Sequence, residues 1–334
     1  MLLAVPVLAG LLGCELPDTR ALMHPVEPCV VQLPAPDLPE ITAQNVARLG
    51  VVGTLCVGDE PGLINALLPI GSDTVASAGR RRPVEIWSIG TGAVQALPDT
   101  DDVNGLARSP VADRLYLVAD DGRVGVSDLG SRETTWAKAH FGPAWGVAAD
   151  PEGEGFVTAG RDGVVRRWSG SPPASVAEVR LWASSWCVAM RPDGAEVAAC
   201  VWSGVRLLDA KTLADRGRID GDYKSVWSAA WSADGGRLAV GVDRAILSYD
   251  EKGEQRLLER ASTTVRQVAW SPDGDLIVAG TWRSELLVLD GETGASLHVG
   301  DGEQQRVQTV TVSPDGTWIA TAGDGGLIRI WGVR

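Results

Sequence analysis

Three histidines, five cysteines and 43 acidic side chains are the groups in this 334-residue sequence that could carry chemistry. His24, His140 and His298 are far apart, and no pair has the spacing of metal ligands. No metal site, no cofactor and no catalytic residue is therefore expected. The glycine-rich phosphate loops of P-loop and dinucleotide sites are missing, and so is a Gly-x-Ser-x-Gly elbow. Asp193, Asp234, Asp273 and Asp315 each sit in a repeated Asp-Gly turn, where the carboxylate is favoured because it bonds nearby backbone. The run Asp99-Thr100-Asp101-Asp102 reads as a solvated loop. Paired carboxylates of the glycosidase kind are the catalytic arrangement that the sequence leaves open. A net charge of −13 speaks against nucleic-acid binding, which needs clustered Lys and Arg. The run Arg80-Arg81-Arg82 stands out in so acidic a chain.

The cysteines divide by place. Cys14 follows an apolar run from Met1 that ends in Leu11-Leu12-Gly13, with no Lys or Arg ahead of it. This resembles the lipobox of bacterial lipoproteins, which implies that residues 1–13 are a signal peptide and that Cys14 is lipidated. The run is too short to span a bilayer, which takes about 20 apolar residues. Residues 14–45 contain Pro17, Pro25, Pro28, Pro34, Pro36 and Pro39 and read as an extended tether. The expected location is the bacterial cell envelope, with the lipid as the membrane contact; without the signal the protein would be cytoplasmic. Cys187 and Cys200 flank one turn symmetrically, so an antiparallel hairpin sets them opposite each other. Cross-strand Cβ atoms about 4.5–5.5 Å apart must tighten toward about 3.8 Å for a disulfide. Cys29 and Cys56 form the other candidate pair; buried free thiols are the alternative for Cys187 and Cys200.

A period of about forty residues orders the rest. Turn segments begin at Ser109, Asp150, Arg191, Ser232, Ser271 and Ser313, with a weaker copy at Pro69. A second marker closes an apolar stretch at Trp87, Ser127, Trp168, Leu208, Tyr249, Leu289 and Trp331. Each copy holds short apolar runs bounded by Gly, Pro and Asp, which read as strands. Four short antiparallel strands per copy make a β-propeller blade, and seven copies make an all-β, seven-bladed ring over residues 46–334. Residues 46–57 precede the first copy, and the last copy ends on its third strand. Pairing 46–57 beside 327–331 would close the ring and remove two sheet edges.

These repeats resemble the WD40 family in degenerate form: Trp87, Trp168 and Trp331 keep the family tryptophan, and no copy has Trp-Asp together. His140, ten residues before Asp150, takes the place of the family's Gly-His histidine. The resemblance implies a structural hydrogen-bond chain Asp162–His140–Thr158–Trp168 and a monomeric propeller that binds partners at one end of its channel.

Thirteen tryptophans beside three tyrosines and two phenylalanines need a reason. Trp231 and Trp270 belong to innermost strands, Trp136 and Trp182 to outer strands and Trp318 to a second strand, all places for packing. Trp145, Trp186 and Trp227 instead stand five residues before their turns, at the start of three successive innermost strands. Ile64, Asn104, Arg266 and Gln308 hold that position elsewhere, so packing does not demand an aromatic. Trp202 and Trp282 fall in equivalent loops beside them, and Arg80 in another. The expectation is an aromatic arc that binds a protein or peptide partner, the other role of these indoles being to plug the channel. The expected function is a non-catalytic scaffold; the alternative is an enzyme or a small-ligand or carbohydrate binder at the channel mouth.

Overall fold

A computed structural model describes residues 34, 37–56, 62–153, 155–221, 223–301 and 306–334. They form seven four-stranded antiparallel sheets arranged as the blades of one propeller. The innermost strands of blades 1 to 7 are Ile64–Gly71, Val103–Arg108, Ala144–Ala149, Cys187–Met190, Val226–Trp231, Val265–Trp270 and Val307–Val312. Each pairs with the next strand of its blade through the short turn at which the sequence repeats. Those turns hold together locally: Asp193, Asp234 and Asp273 accept the backbone N–H two residues on, at 2.9–3.0 Å.

The second strands carry the core. Leu115–Ala119 of blade 2, Val197–Val201 of blade 4 and Leu276–Thr281 of blade 6 are buried at every position. Burial on both faces follows because each blade is covered by a neighbour on either side, and apolar residues from Ala to Tyr116 fill the space. Blades also touch through the third residue of the inner strands. Ser228 Oγ accepts the Val268 N–H of the next blade at 2.9 Å, and Thr309 Oγ1 accepts Leu67 N–H at 3.0 Å across the seam between blades 7 and 1. In blade 3 this position is Gly146, where a Cβ would lie 2.7 Å from the Val188 nitrogen. Glycine is required there by the close approach of two backbones.

The ring closes through the segment ahead of the first copy. Leu49–Cys56 pairs antiparallel with Leu327–Val333, from Leu49 opposite Val333 to Cys56 opposite Leu327, with a bulge between Val51 and Gly53. Leu55 is fully buried among residues of blade 7 and blade 1, so this strand joins the last blade to the first. Packing begins earlier than residue 46. Ile41 is buried and donates its N–H to the Gly316 carbonyl, and Leu38 lies against Gly332. The end of the proline-rich segment is thus part of the closing seam. Two tryptophans also differ from their sequence placement. The outer strand of blade 3 stops at Arg180, leaving Trp182 beyond it at φ +59° and 88% exposed. Trp318 just precedes the second strand Ile319–Gly323 and donates to the Ser72 carbonyl of blade 1.

Cys187 and Cys200 are direct cross-strand partners and are joined by a disulfide, with Cα atoms 5.1 Å apart. Cys56 is also disulfide-bonded. Cys29, expected to pair with it, and Cys14 lie outside the described residues, as does all of the segment 1–33.

Candidate binding site at the channel mouth

One bulge, repeated around the ring, builds the mouth of the channel. The pairing register of the inner strands skips Asn65, Asn104, Trp145, Trp227, Arg266 and Gln308, each the second residue of its strand. In blade 4 the strand starts at Cys187, directly after Trp186. A bulged residue leaves the ladder and its side chain is re-aimed. Here all seven line a central cavity of about 400 Å³. In blade 1 the bulged residue is Asn65 and not Ile64, which is buried. The turn of that blade is one residue shorter, with Pro69 opposite Val75 where blade 2 has Arg108 opposite Leu115, so counting back from Pro69 overshoots by one.

The mouth has two unlike halves. Trp145, Trp186 and Trp227 are half-buried and stack in series, with ring centroids 6.2 and 5.1 Å apart and planes inclined by 29° and 30°. Trp202 meets Trp186 edge-on at 5.0 Å, and Trp282 leans on Trp227 at 5.8 Å. Both rise from hairpins between second and third strands, at the end where the inner strands begin. Phe141 and Trp182, in the loops entering blades 3 and 4, stand at the same end, 90% and 88% exposed. An apolar patch of this kind is the usual mark of a binding surface. Arg80 is exposed on its hairpin and does not line the cavity.

The other half is polar and fixed. Asn65 Nδ2 donates to Asn104 Oδ1 at 2.9 Å, and Asn104 Nδ2 donates to the Ala144 carbonyl at 3.1 Å. Gln308 Nε2 donates to Asp324 Oδ1 at 3.2 Å, which turns its carbonyl oxygen to accept Arg266 Nε at 3.1 Å. The Arg266 guanidinium lies over Trp227 at 4.6 Å and over Trp282 at 5.4 Å. Burial holds its pKa down to about 10, opposed by the charge of Asp324, so it stays protonated at neutral pH. The spacing had shown Arg266 and Gln308 only as non-aromatic occupants of the arc position. Their alternation with Trp and Asn, all side chains with a polar reach, was the available signal.

The tryptophans of the opposite end do different work. Trp231 and Trp270 donate to the carbonyls of Ala189 and Ala230 in the preceding blades, under Arg191 and Arg237. They tie blades together.

Inside blade 3, His140 is buried. Its Nδ1 is 2.9 Å from Asp162 Oδ1 and its Nε2 2.8 Å from Thr158 Oγ1, which also accepts Trp168 Nε1–H at 2.9 Å. Arg166 adds a donor to Asp162 Oδ2 at 3.1 Å. Burial lowers the His140 pKa, against the opposing pull of Asp162. With every polar atom engaged, the group has no open side for a substrate. Among the described residues no cluster of His, Cys, Asp and Glu could hold a metal ion.

The chain is a regular seven-bladed β-propeller with an aromatic and cationic channel mouth. Three of its segments, residues 131–169, 254–288 and 294–332, match the WD domain, G-beta repeat family. Similar proteins include WD repeat-containing protein SL1-17 of Schistosoma mansoni, 30% identical over 34% of this chain and 38% of that protein. Meiotic recombination protein rec14 of Schizosaccharomyces pombe is 33% identical over 32% of this chain and 36% of its own. Echinoderm microtubule-associated protein-like 3 of Homo sapiens is 23% identical over 75% of this chain and 28% of its own. The chain thus spans less than two-fifths of the length of each of these relatives.

Proposed function

We propose that this propeller is a non-catalytic binding module that holds a protein or peptide partner on its channel-mouth face. The observation that carries this reading is the gathering of Trp145, Trp186, Trp202, Trp227 and Trp282 in one contiguous stack, with Phe141 and Trp182 exposed beside it. Solvent-facing aromatics cost solubility and are not needed there for packing, since Asn or Gln serves at the same position in other blades. Trp is among the side chains that most often dominate an interface. A small-ligand reading draws on the amides of Asn65, Asn104 and Gln308 inside the cavity. The exposed aromatics outside the cavity favour the larger partner.

Site-directed photo-crosslinking at Ser184, on this face, should trap a discrete partner that crosslinking at Asp193, on the opposite end, does not. Trp186→Ala and Trp227→Ala, made singly, should weaken that capture by about 2 kcal/mol or more in binding while the melting temperature moves little. Loss of stability with capture unchanged would make the indoles a plug and defeat the proposal.

The lipid-anchored, envelope location belongs to the same proposal and rests on the run ending in Leu11-Leu12-Gly13-Cys14. Intact-mass measurement on membrane-extracted protein should give a chain that begins at Cys14 and carries a lipid adduct. A soluble protein retaining Met1 would refute it.

A further inference from the structure

We infer that the channel mouth is a receptor for an oxyanion, a carboxylate or a phosphate, borne by a peptide whose apolar side chains lie on the tryptophan arc, with the Arg266 guanidinium as the anion-binding group. The inference rests on the reading of this face as the binding face and names the chemistry of what it binds.

Arg266 is a cation placed where this strongly acidic chain would be expected to neutralise it, yet it is not neutralised. Among the described residues no carboxylate lies within 4.0 Å of it, and its one hydrogen bond is from Nε to Gln308. Asp324, the nearest acidic influence, is engaged by Gln308 Nε2 at 3.2 Å and by Arg306 Nε at 3.7 Å. It orients the amide and does not pair with Arg266. The guanidinium sits between Trp227 and Trp282, 4.6 and 5.4 Å from their ring centroids, so two indoles confine it before any ligand arrives. With Nε tied to Gln308, the two Nη groups are left without a hydrogen-bond partner among the described residues, as a fork on a side chain that lines the cavity. That fork matches the two oxygens of a carboxylate or phosphate. Desolvation has already been incurred in the folded chain, so a ligand anion gains a pairing that water supplies poorly at this depth.

A peptide fits better than a free ion. The cavity of about 400 Å³ has room for a side chain and is lined by Trp145, Trp186 and Trp227, against which Trp202 and Trp282 pack. An acidic residue flanked by apolar ones would place its anion on Arg266 and its neighbours on the indoles. The arrangement joins a charge that specifies to an aromatic surface that adds affinity.

The test has two arms on the full chain. In the first, inorganic phosphate is titrated at constant ionic strength while indole fluorescence is followed, since Trp227 and Trp282 touch the guanidinium. A saturable response in the wild type, absent in Arg266→Met and partial in Arg266→Lys, is expected; Met keeps the stem between the rings, and thermal melts check its fold. A response that is unsaturable, or the same in Arg266→Met, overturns the inference. In the second arm, amidated pentapeptides Gly-Phe-X-Phe-Gly with X as Glu, phosphoserine or Gln are compared by calorimetry. At least about tenfold preference for Glu or phosphoserine over Gln is expected, and that discrimination should vanish in Arg266→Met. The better of the two acidic peptides identifies the source of the oxyanion. Equal binding of the Gln peptide overturns the inference and leaves the aromatic face standing. Phosphate binding at Arg266 with no peptide bound sustains the anion pocket and removes the peptide from it.

Discussion

Replacing Leu55 by Asp should open the ring and leave the protein aggregating at temperatures where the wild type is folded. Leu55 is fully buried on the strand Leu49–Cys56, among Ile64 and Trp87 of blade 1 and Trp318, Ile328 and Ile330 of blade 7. Truncating such a side chain to Ala costs about 2–5 kcal/mol. A carboxylate there has no partner in its apolar surroundings, and the added desolvation brings the loss toward the whole stability of a domain, about 5–15 kcal/mol. The closing strand then leaves, and Leu327–Val333 becomes an unprotected edge that can pair with another chain. Chemical denaturation should rank wild type above Leu55→Ala above Leu55→Asp, and light scattering should rise in the reverse order. A Leu55→Asp protein that unfolds at the wild-type midpoint would show that the strand is dispensable. A deletion that runs through residue 40 also costs stability, because it removes Leu38 from the seam beside Gly332.

Features of the fold that are written locally were legible in the sequence. A turn such as that at Ser271 is completed within five residues, Ser271 Oγ and the Asp273 carboxylate both bonding backbone inside it, so its residues recur wherever the turn does. The disulfide partners were legible for the same reason, because the hairpin fixes their opposition. Features set by distant partners were not. Ile41 is buried because Gly316 receives its N–H, across most of the chain, and a proline-rich segment gives no sign of that. The bulge at Asn65 depends on the pairing register and on a shortened turn, which periodic counting averages away. The repeat places Trp182 in an outer strand, whereas that strand ends at Arg180 and leaves the indole in solvent. Of the mouth, the three aromatic positions could be read from spacing. The role of Arg266 could not, because it is defined by Trp227, Trp282 and Gln308 from three different blades.

Removing the Asp162 carboxylate should destabilise blade 3 out of proportion to the few atoms lost. The hydrogen-bond geometry assigns one consistent set of donors: Trp168 Nε1–H to Thr158 Oγ1, Thr158 O–H to His140 Nε2, and His140 Nδ1–H to Asp162. Each group donates into the next, and the chain ends on an anion that Arg166 also contacts. Asp162→Ala leaves the buried His140 N–H without an acceptor and deprives Arg166 of this contact, a loss of about 2–4 kcal/mol. Thr158→Val cuts the chain in the middle and should cost about 1–3 kcal/mol. Blades 1 and 7 provide the comparison: Trp87 bonds Ser77 and Trp331 bonds Thr321 in the same way, without a histidine. Thr321→Val should therefore cost less than Thr158→Val. The arrangement also makes a pH prediction. It needs neutral His140, because a proton on Nε2 would turn that acceptor into a donor facing Thr158. Burial keeps the folded pKa below the ordinary 6.5, so the unfolded chain takes up a proton first. The stabilisation is complete above about pH 6.5 and is lost as pH falls through the lowered value. Denaturation at pH 8 and pH 5 should show that loss in the wild type and a smaller one in His140→Gln. Identical pH dependence in the two proteins would mean that His140 titrates alike in the folded and the unfolded chain, and would refute the lowered pKa.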